Sequence, residues 1–127
     1  NRGAALERRI EIQTIRKANY NLEDYAELSV ELSSYDFGKL KKGDIAKHTF
    51  SLKNTGNKSL TITTIESSCG CTTPSFNNQP ILPGETSLLE IELNTLTLIG
   101  KQVKSITIIS DAFPTTKRLV LTAEIFE

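Results

Sequence analysis

Both cysteines of the chain lie in Ser68-Cys69-Gly70-Cys71-Thr72, one glycine apart. Two thiols at that spacing can close a very small disulfide, hold a soft metal, or pack as two small apolar groups where a strand ends. On an extended strand, residues i and i+2 share a face with Cα atoms about 6.5 Å apart. A disulfide needs about 4.4–6.8 Å. A kink at Gly70, made through a positive φ, would bring the two sulfurs within reach. Closing so short a loop removes little chain entropy, worth about 1.6 kcal/mol before strain. Stapling is therefore a poor reason for such a bond, and a small strained ring is readily reduced. Two thiolates also suit near-linear Cu(I), whereas structural zinc wants four ligands and only His48 is on offer besides. The residues alone leave packing, redox chemistry and metal binding open.

Elsewhere the chemistry-bearing residues lack partners at useful spacing. His48 falls on the apolar side of an alternating run beside Phe50, where it reads as a core-edge histidine rather than a general base. Asp44, His48 and a serine do not form a recognisable triad, because no nucleophile-elbow motif is present. Glu90 and Glu92 occupy the polar face of a strand and serve solubility. Asp36 and Asp111 lack the run of oxygen ligands that calcium needs. There is no phosphate-cradling glycine loop and no zinc-protease helix. No catalytic residue, cofactor site or metal site is assigned, and the expectation is a protein without enzymatic activity.

The 127 residues carry fifteen basic and fifteen acidic side chains, which cancel. A neutral chain has no overall field to draw it to nucleic acid or anionic lipid. Arg8, Arg9, Arg16 and Lys17 read as a solvated face. No apolar run approaches the ~20 residues that span a bilayer. The sequence contains no methionine, so we expect a longer precursor whose signal peptide or lipoprotein anchor is absent here.

The elements that must carry these residues are strands. Residues 1–25 stand apart as an extension or stalk. Leu6 and Ile10 suit one helix face within Ala4–Ala18, although Ile10-Glu11-Ile12-Gln13 also alternates like a strand. Residues 26–127 read as one domain. Leu28, Val30 and Leu32 share a face; Asp36 to Gly43 is a turn region with two glycines. Ala46, His48, Phe50 and Leu52 alternate with Lys47, Thr49, Ser51 and Lys53. Asn54-Thr55-Gly56-Asn57 reads as a hairpin turn, since Asn and Gly tolerate positive φ. Leu60 to Ile65 is a β-branched strand that leads into the cysteines, and Pro74 to Pro80 is an irregular excursion. Pro83-Gly84-Glu85 is a turn before Leu89, Ile91 and Leu93. Gly100 marks a break before Val103–Ile109. Pro114 closes that strand ahead of Leu119, Leu121, Ala123 and Ile125. About seven strands with Gly-, Pro- and Asn-rich turns predict an all-β, immunoglobulin-like antiparallel sandwich. Its core must be aliphatic, because the chain has no Trp and no widely spaced cysteine pair.

An ordered set of motifs runs through this domain: Tyr35-Asp36-Phe37-Gly38, Gly43, Phe50-Ser51-Leu52-Lys53-Asn54-Thr55-Gly56, Leu60-Thr61-Ile62, Ser68-Cys69-Gly70-Cys71-Thr72, Pro80-Ile81-Leu82-Pro83-Gly84-Glu85, and Gly100. Together they resemble a bacterial domain-of-unknown-function family found in envelope and secreted proteins of Bacteroidetes. That family is similar to the abnormal-spindle/Hydin (ASH) and major-sperm-protein domains. The resemblance covers about Leu28 to Ile125. It implies an immunoglobulin-like sandwich, a periplasmic or cell-surface location and no established enzymatic activity. Asp36, Phe37 and Gly38 are then expected to anchor a strand end, with Phe37 in the core, while Asn54, Gly56, Pro83 and Gly84 shape turns.

The function expected from these readings is a non-enzymatic, monomeric envelope module that binds a protein partner, by strand addition at a sheet edge, or serves as a structural spacer. It needs no cofactor and takes neither nucleic acid nor a membrane span. The rival reading is a thiol redox or copper-handling protein acting through Cys69 and Cys71.

Overall fold

The structure, a computed structural model, describes residues 24–127. The helix considered within Ala4–Ala18 lies outside them. Eight strands follow one another: β1 Leu28–Val30, β2 Ser34–Lys41, β3 Ile45–Asn54, β4 Ile62–Ser67, β5 Thr72–Ser75, β6 Thr86–Asn94, β7 Gly100–Ser110 and β8 Thr116–Phe126. They form two four-stranded sheets, with orders β1-β3-β6-β5 and β2-β8-β7-β4. The expected all-β sandwich is present.

Period-two alternation explains the two layers. Phe50 and Leu52 of β3 and Leu89, Ile91 and Leu93 of β6 point inward from the first sheet. Ile106 and Ile108 of β7 and Leu119, Leu121 and Ile125 of β8 meet them from the second. Leu60 and Ile81, joined by an isolated bridge between the strands, add two more fully buried side chains. A second cluster of Leu93, Leu98, Ala123 and Ile125 packs against Phe37, Leu40 and Cys71. Each large aliphatic side chain fully removed from water contributes about 1.5–3 kcal/mol, so this interior holds the fold.

Several expectations are corrected. The strands number eight, and β2 pairs with β8 in parallel, so the sandwich is not wholly antiparallel. The cause is a change of sheet without a change of direction. β1 runs beside β3, leaves it after Val30, and the chain continues as β2 beside β8. Leu32 therefore belongs to the crossing and is 71 % exposed. The region Asp36–Gly43 is mostly strand rather than turn. Asp36, Phe37 and Gly38 make a bulge inside β2, not a strand end, where the Asp36 carboxylate accepts the Gly38 N–H at 2.9 Å. Phe37 does pack against both clusters. The Asn54–Asn57 turn joins strands of different sheets, so it is no hairpin. The segment after the cysteines begins as β5 before it becomes irregular.

Candidate functional site

Two places carry polar or reactive groups that the core does not consume: the outer edge of β3 and the Cys-Gly-Cys turn.

β1 covers only Leu52–Asn54 of β3. The remainder, Ile45 to Ser51, pairs with β6 on one side and with no strand of the described residues on the other. The direction of its backbone groups follows from two bonds. Asn54 N–H donates to Glu85 on the β6 side, and Thr55 N–H donates to Glu27 on the β1 side, at 3.1 and 2.8 Å. Direction alternates along a strand, so Lys47 and Thr49 aim N–H and C=O outward at the vacant edge, while Ser51 faces the end of β1. Where β1 departs, a shallow depression of about 130 Å³ opens, lined by Glu31, Leu32, His48, Thr49, Phe50 and Ser51.

An aromatic row bridges the two sheets beside it. The Tyr35 ring of β2 stacks on His48 of β3 at 3.7 Å, and His48 meets Phe50 edge-on at 4.7 Å. Tyr35 in turn meets Phe37 edge-on at 5.1 Å. Burial pulls the His48 imidazole below the usual histidine range, because a cation is costly where water is partly excluded. Sequence reading placed His48 at the core edge correctly. It gave no sign of the Tyr35 stack, since the partner lies on the other sheet.

At the second place, Cys69 and Cys71 are joined in a disulfide with Cα atoms 5.1 Å apart. The approach is made by a turn between β4 and β5, and Gly70 does not take the expected positive φ. The Cys69 carbonyl accepts bonds from Thr72 N–H, Thr72 Oγ1–H and Ser67 Oγ–H at 3.2, 3.1 and 3.0 Å. Ser68 N–H donates to Ser105 of β7 at 2.9 Å, and Asn94 N–H of β6 donates to Cys71 at 2.8 Å. The turn is thus fixed to both sheets. Cys71 N–H points at the Cys69 sulfur, 3.1 Å away. Both sulfur-bearing residues are half-buried and Gly70 is exposed. With its sulfurs joined, the pair offers no thiolates to a metal, and no cluster of three His, Cys, Asp or Glu exists among the described residues.

The motif residues have structural duties. Asn54 is completely buried. Its Nδ2 donates to the carbonyls of Lys58 and Ile81 at 2.7 and 2.8 Å. Its Oδ1 accepts Gly56 N–H and Glu27 N–H at 2.9 and 3.3 Å. Gly56 does not have the positive φ expected of it. It is needed because a Cβ there would strike the backbone of Tyr25, Ala26 and Glu27. Gly84, after Pro83, does sit at φ 82°. Asp44, Asp36 and Asp111 are each engaged locally, accepting N–H groups of Lys41, Gly38 and Thr61; none gathers with His48 into a catalytic group. Glu92 lies 4.0 Å from Lys47 on the outer face.

Residues 28–125 match the family model described as a protein of unknown function, DUF1573. The chain belongs to this family. Among solved structures, a protein of unknown function from Porphyromonas gingivalis superposes with a TM-score of 0.74 at 19 % identity, covering 83 % of this chain and 49 % of the other. This DUF1573 chain thus spans about half the length of that relative. The ASH/PapD-like domain 7 of human CEP192 gives 0.69 at 10 % identity over 94 % of this chain and 99 % of that domain. The YadV chaperone gives 0.61 at 12 % identity over 80 % and 53 %. These likenesses show the fold. No curated protein sequence matches.

Proposed function

We propose that this DUF1573 domain is a non-enzymatic protein-binding module of the bacterial envelope, which takes an extended segment of a partner protein onto the vacant edge of β3. The observation that carries this reading is the early departure of β1, which leaves Lys47 and Thr49 with outward backbone groups and no strand neighbour among the described residues. An exposed edge of this kind is a template for strand addition. Side chains of the added strand alternate between two surroundings. One set enters the depression beside Leu32, His48 and Phe50 and should be apolar. The other set lies beside Lys47 and Lys53 on the outer face and should include an acid.

Likeness to an ASH/PapD-like domain and to a chaperone supports a protein partner. The disulfide supports an oxidising compartment such as the periplasm or cell surface. Residues 26–127 then form the binding domain, and residues 1–25 tether it.

Thr49→Pro tests the edge. Proline removes one outward N–H, and an edge position with its N–H facing solvent accepts it. We expect stability to change by no more than about 1 kcal/mol, while binding of partners from native envelope extract is lost. In hydrogen exchange, the Lys47 and Thr49 amides should be fast in the free domain and slow in the complex. Binding that survives Thr49→Pro with those amides still fast would place the partner elsewhere.

A further inference from the structure

The Cys-Gly-Cys turn has features that strand addition does not use. Its backbone is held by bonds to Thr72, Ser67, Ser105 and Asn94 that do not depend on the sulfur–sulfur link. The link closes a loop of only three residues, so it contributes little chain-entropy stabilisation. Opening it leaves the two sulfurs beside one another, ready to close again. The outer side of the turn is open, since nothing lies within 4 Å of the position a Gly70 Cβ would take.

The two sulfurs are not equivalent. Cys71 packs against the cluster of Leu93, Leu98, Ala123 and Ile125, which shields it on one side. Cys69 belongs to neither buried cluster. Its sulfur also receives the Cys71 N–H at 3.1 Å, a bond that strengthens when the sulfur carries negative charge.

We propose that the Cys69–Cys71 disulfide is a thiol–disulfide exchange site for protein dithiols, with Cys69 forming the mixed disulfide and Cys71 leaving and returning. A partner thiolate attacks the Cys69 sulfur. The Cys69–Cys71 bond breaks, and Cys71 departs as a thiolate that takes up a proton. The partner's second thiol loses its proton and attacks its own sulfur in the mixed disulfide. Cys69 is released as a thiolate held by the Cys71 N–H. Two electrons and one proton pass to this domain, which ends as the Cys71 thiol and the Cys69 thiolate, and the partner leaves as a disulfide. Reversal uses the same atoms, with the Cys69 thiolate as nucleophile.

The test uses a synthetic peptide dithiol containing Cys-X-X-Cys, oxygen-free, at pH 7 and without denaturant. One peptide disulfide should form for each domain reduced. An acid-quenched glutathione adduct of the wild-type protein should map to Cys69. With a chromogenic aryl disulfide, reduced Cys71→Ser should react about tenfold faster than Cys69→Ser, reflecting exposure and thiolate character. A bond that opens only in denaturant, or an adduct at Cys71, overturns the proposal. Both wild-type measurements stand if the serine variants fail to fold. Thr49→Pro should leave the exchange unchanged, so this activity and the strand-binding reading fail or succeed separately.

Discussion

Asn54 shows what one side chain can do when all its hydrogen-bonding capacity is spent. Four bonds tie the end of β3 to the segment before β1, to the following turn and to the Ile81 bridge. Asn54→Ala removes the partners of one buried carbonyl and of three half-buried backbone groups, and a buried group left unmet costs about 1–3 kcal/mol. We expect a loss of about 3–5 kcal/mol in urea unfolding, several groups being orphaned at once. His48 makes a second prediction at this scale. Its pKa is lowered in the fold from 6.5, so the unfolded chain binds the proton more readily. Its contribution is intact above pH 6.5 and is lost as pH falls through the lower folded value. Unfolding midpoints should therefore decline from pH 7 to 5.5, and His48→Gln should flatten that part of the profile. An unchanged slope in the variant would assign the decline to other groups.

At the scale of elements, the connections decide more than the strands. Between β3 and β4 the chain passes from one sheet to the other, and Gly56 lies against the backbone of Tyr25, Ala26 and Glu27. Between β4 and β5 it passes back, and Gly70 faces open space. Gly56→Ala should cost at least about 2 kcal/mol, because backbone must move to admit the methyl group. Gly70→Ala should stay within about 0.5 kcal/mol. Equal losses in thermal or urea unfolding would refute the distinction. The β1-to-β2 crossing, the first of five passages between the sheets, is the one that uncovers the edge of β3. A longer β1 would satisfy the whole edge of β3 and cover the depression by Leu32. Its stop at Val30 leaves edge and depression uncovered by any strand of the described residues.

Across the whole molecule, the alternation of Phe50 with Leu52, of Leu89, Ile91 and Leu93, and of Leu119, Leu121 and Ile125 made two packed sheets legible in the sequence, because a period of two on a half-buried strand is a local property. The Gly-, Pro- and Asn-rich turns were legible for the same reason. Strand partners were not. Nothing near Tyr35 says that β2 lies parallel to β8, or that its ring stacks on His48, thirteen residues away on the opposite sheet. Asn54 reads as a turn residue until the carbonyls of Lys58 and Ile81 are brought to it. The cysteine spacing permitted three chemistries, and the turn geometry made the disulfide. The sequence determined which residues leave water and where the chain bends, since those depend on each residue and its neighbours. Only the tertiary structure decided which edge stays vacant and which sulfur is sheltered, since these depend on segments that meet in space and lie far apart along the chain.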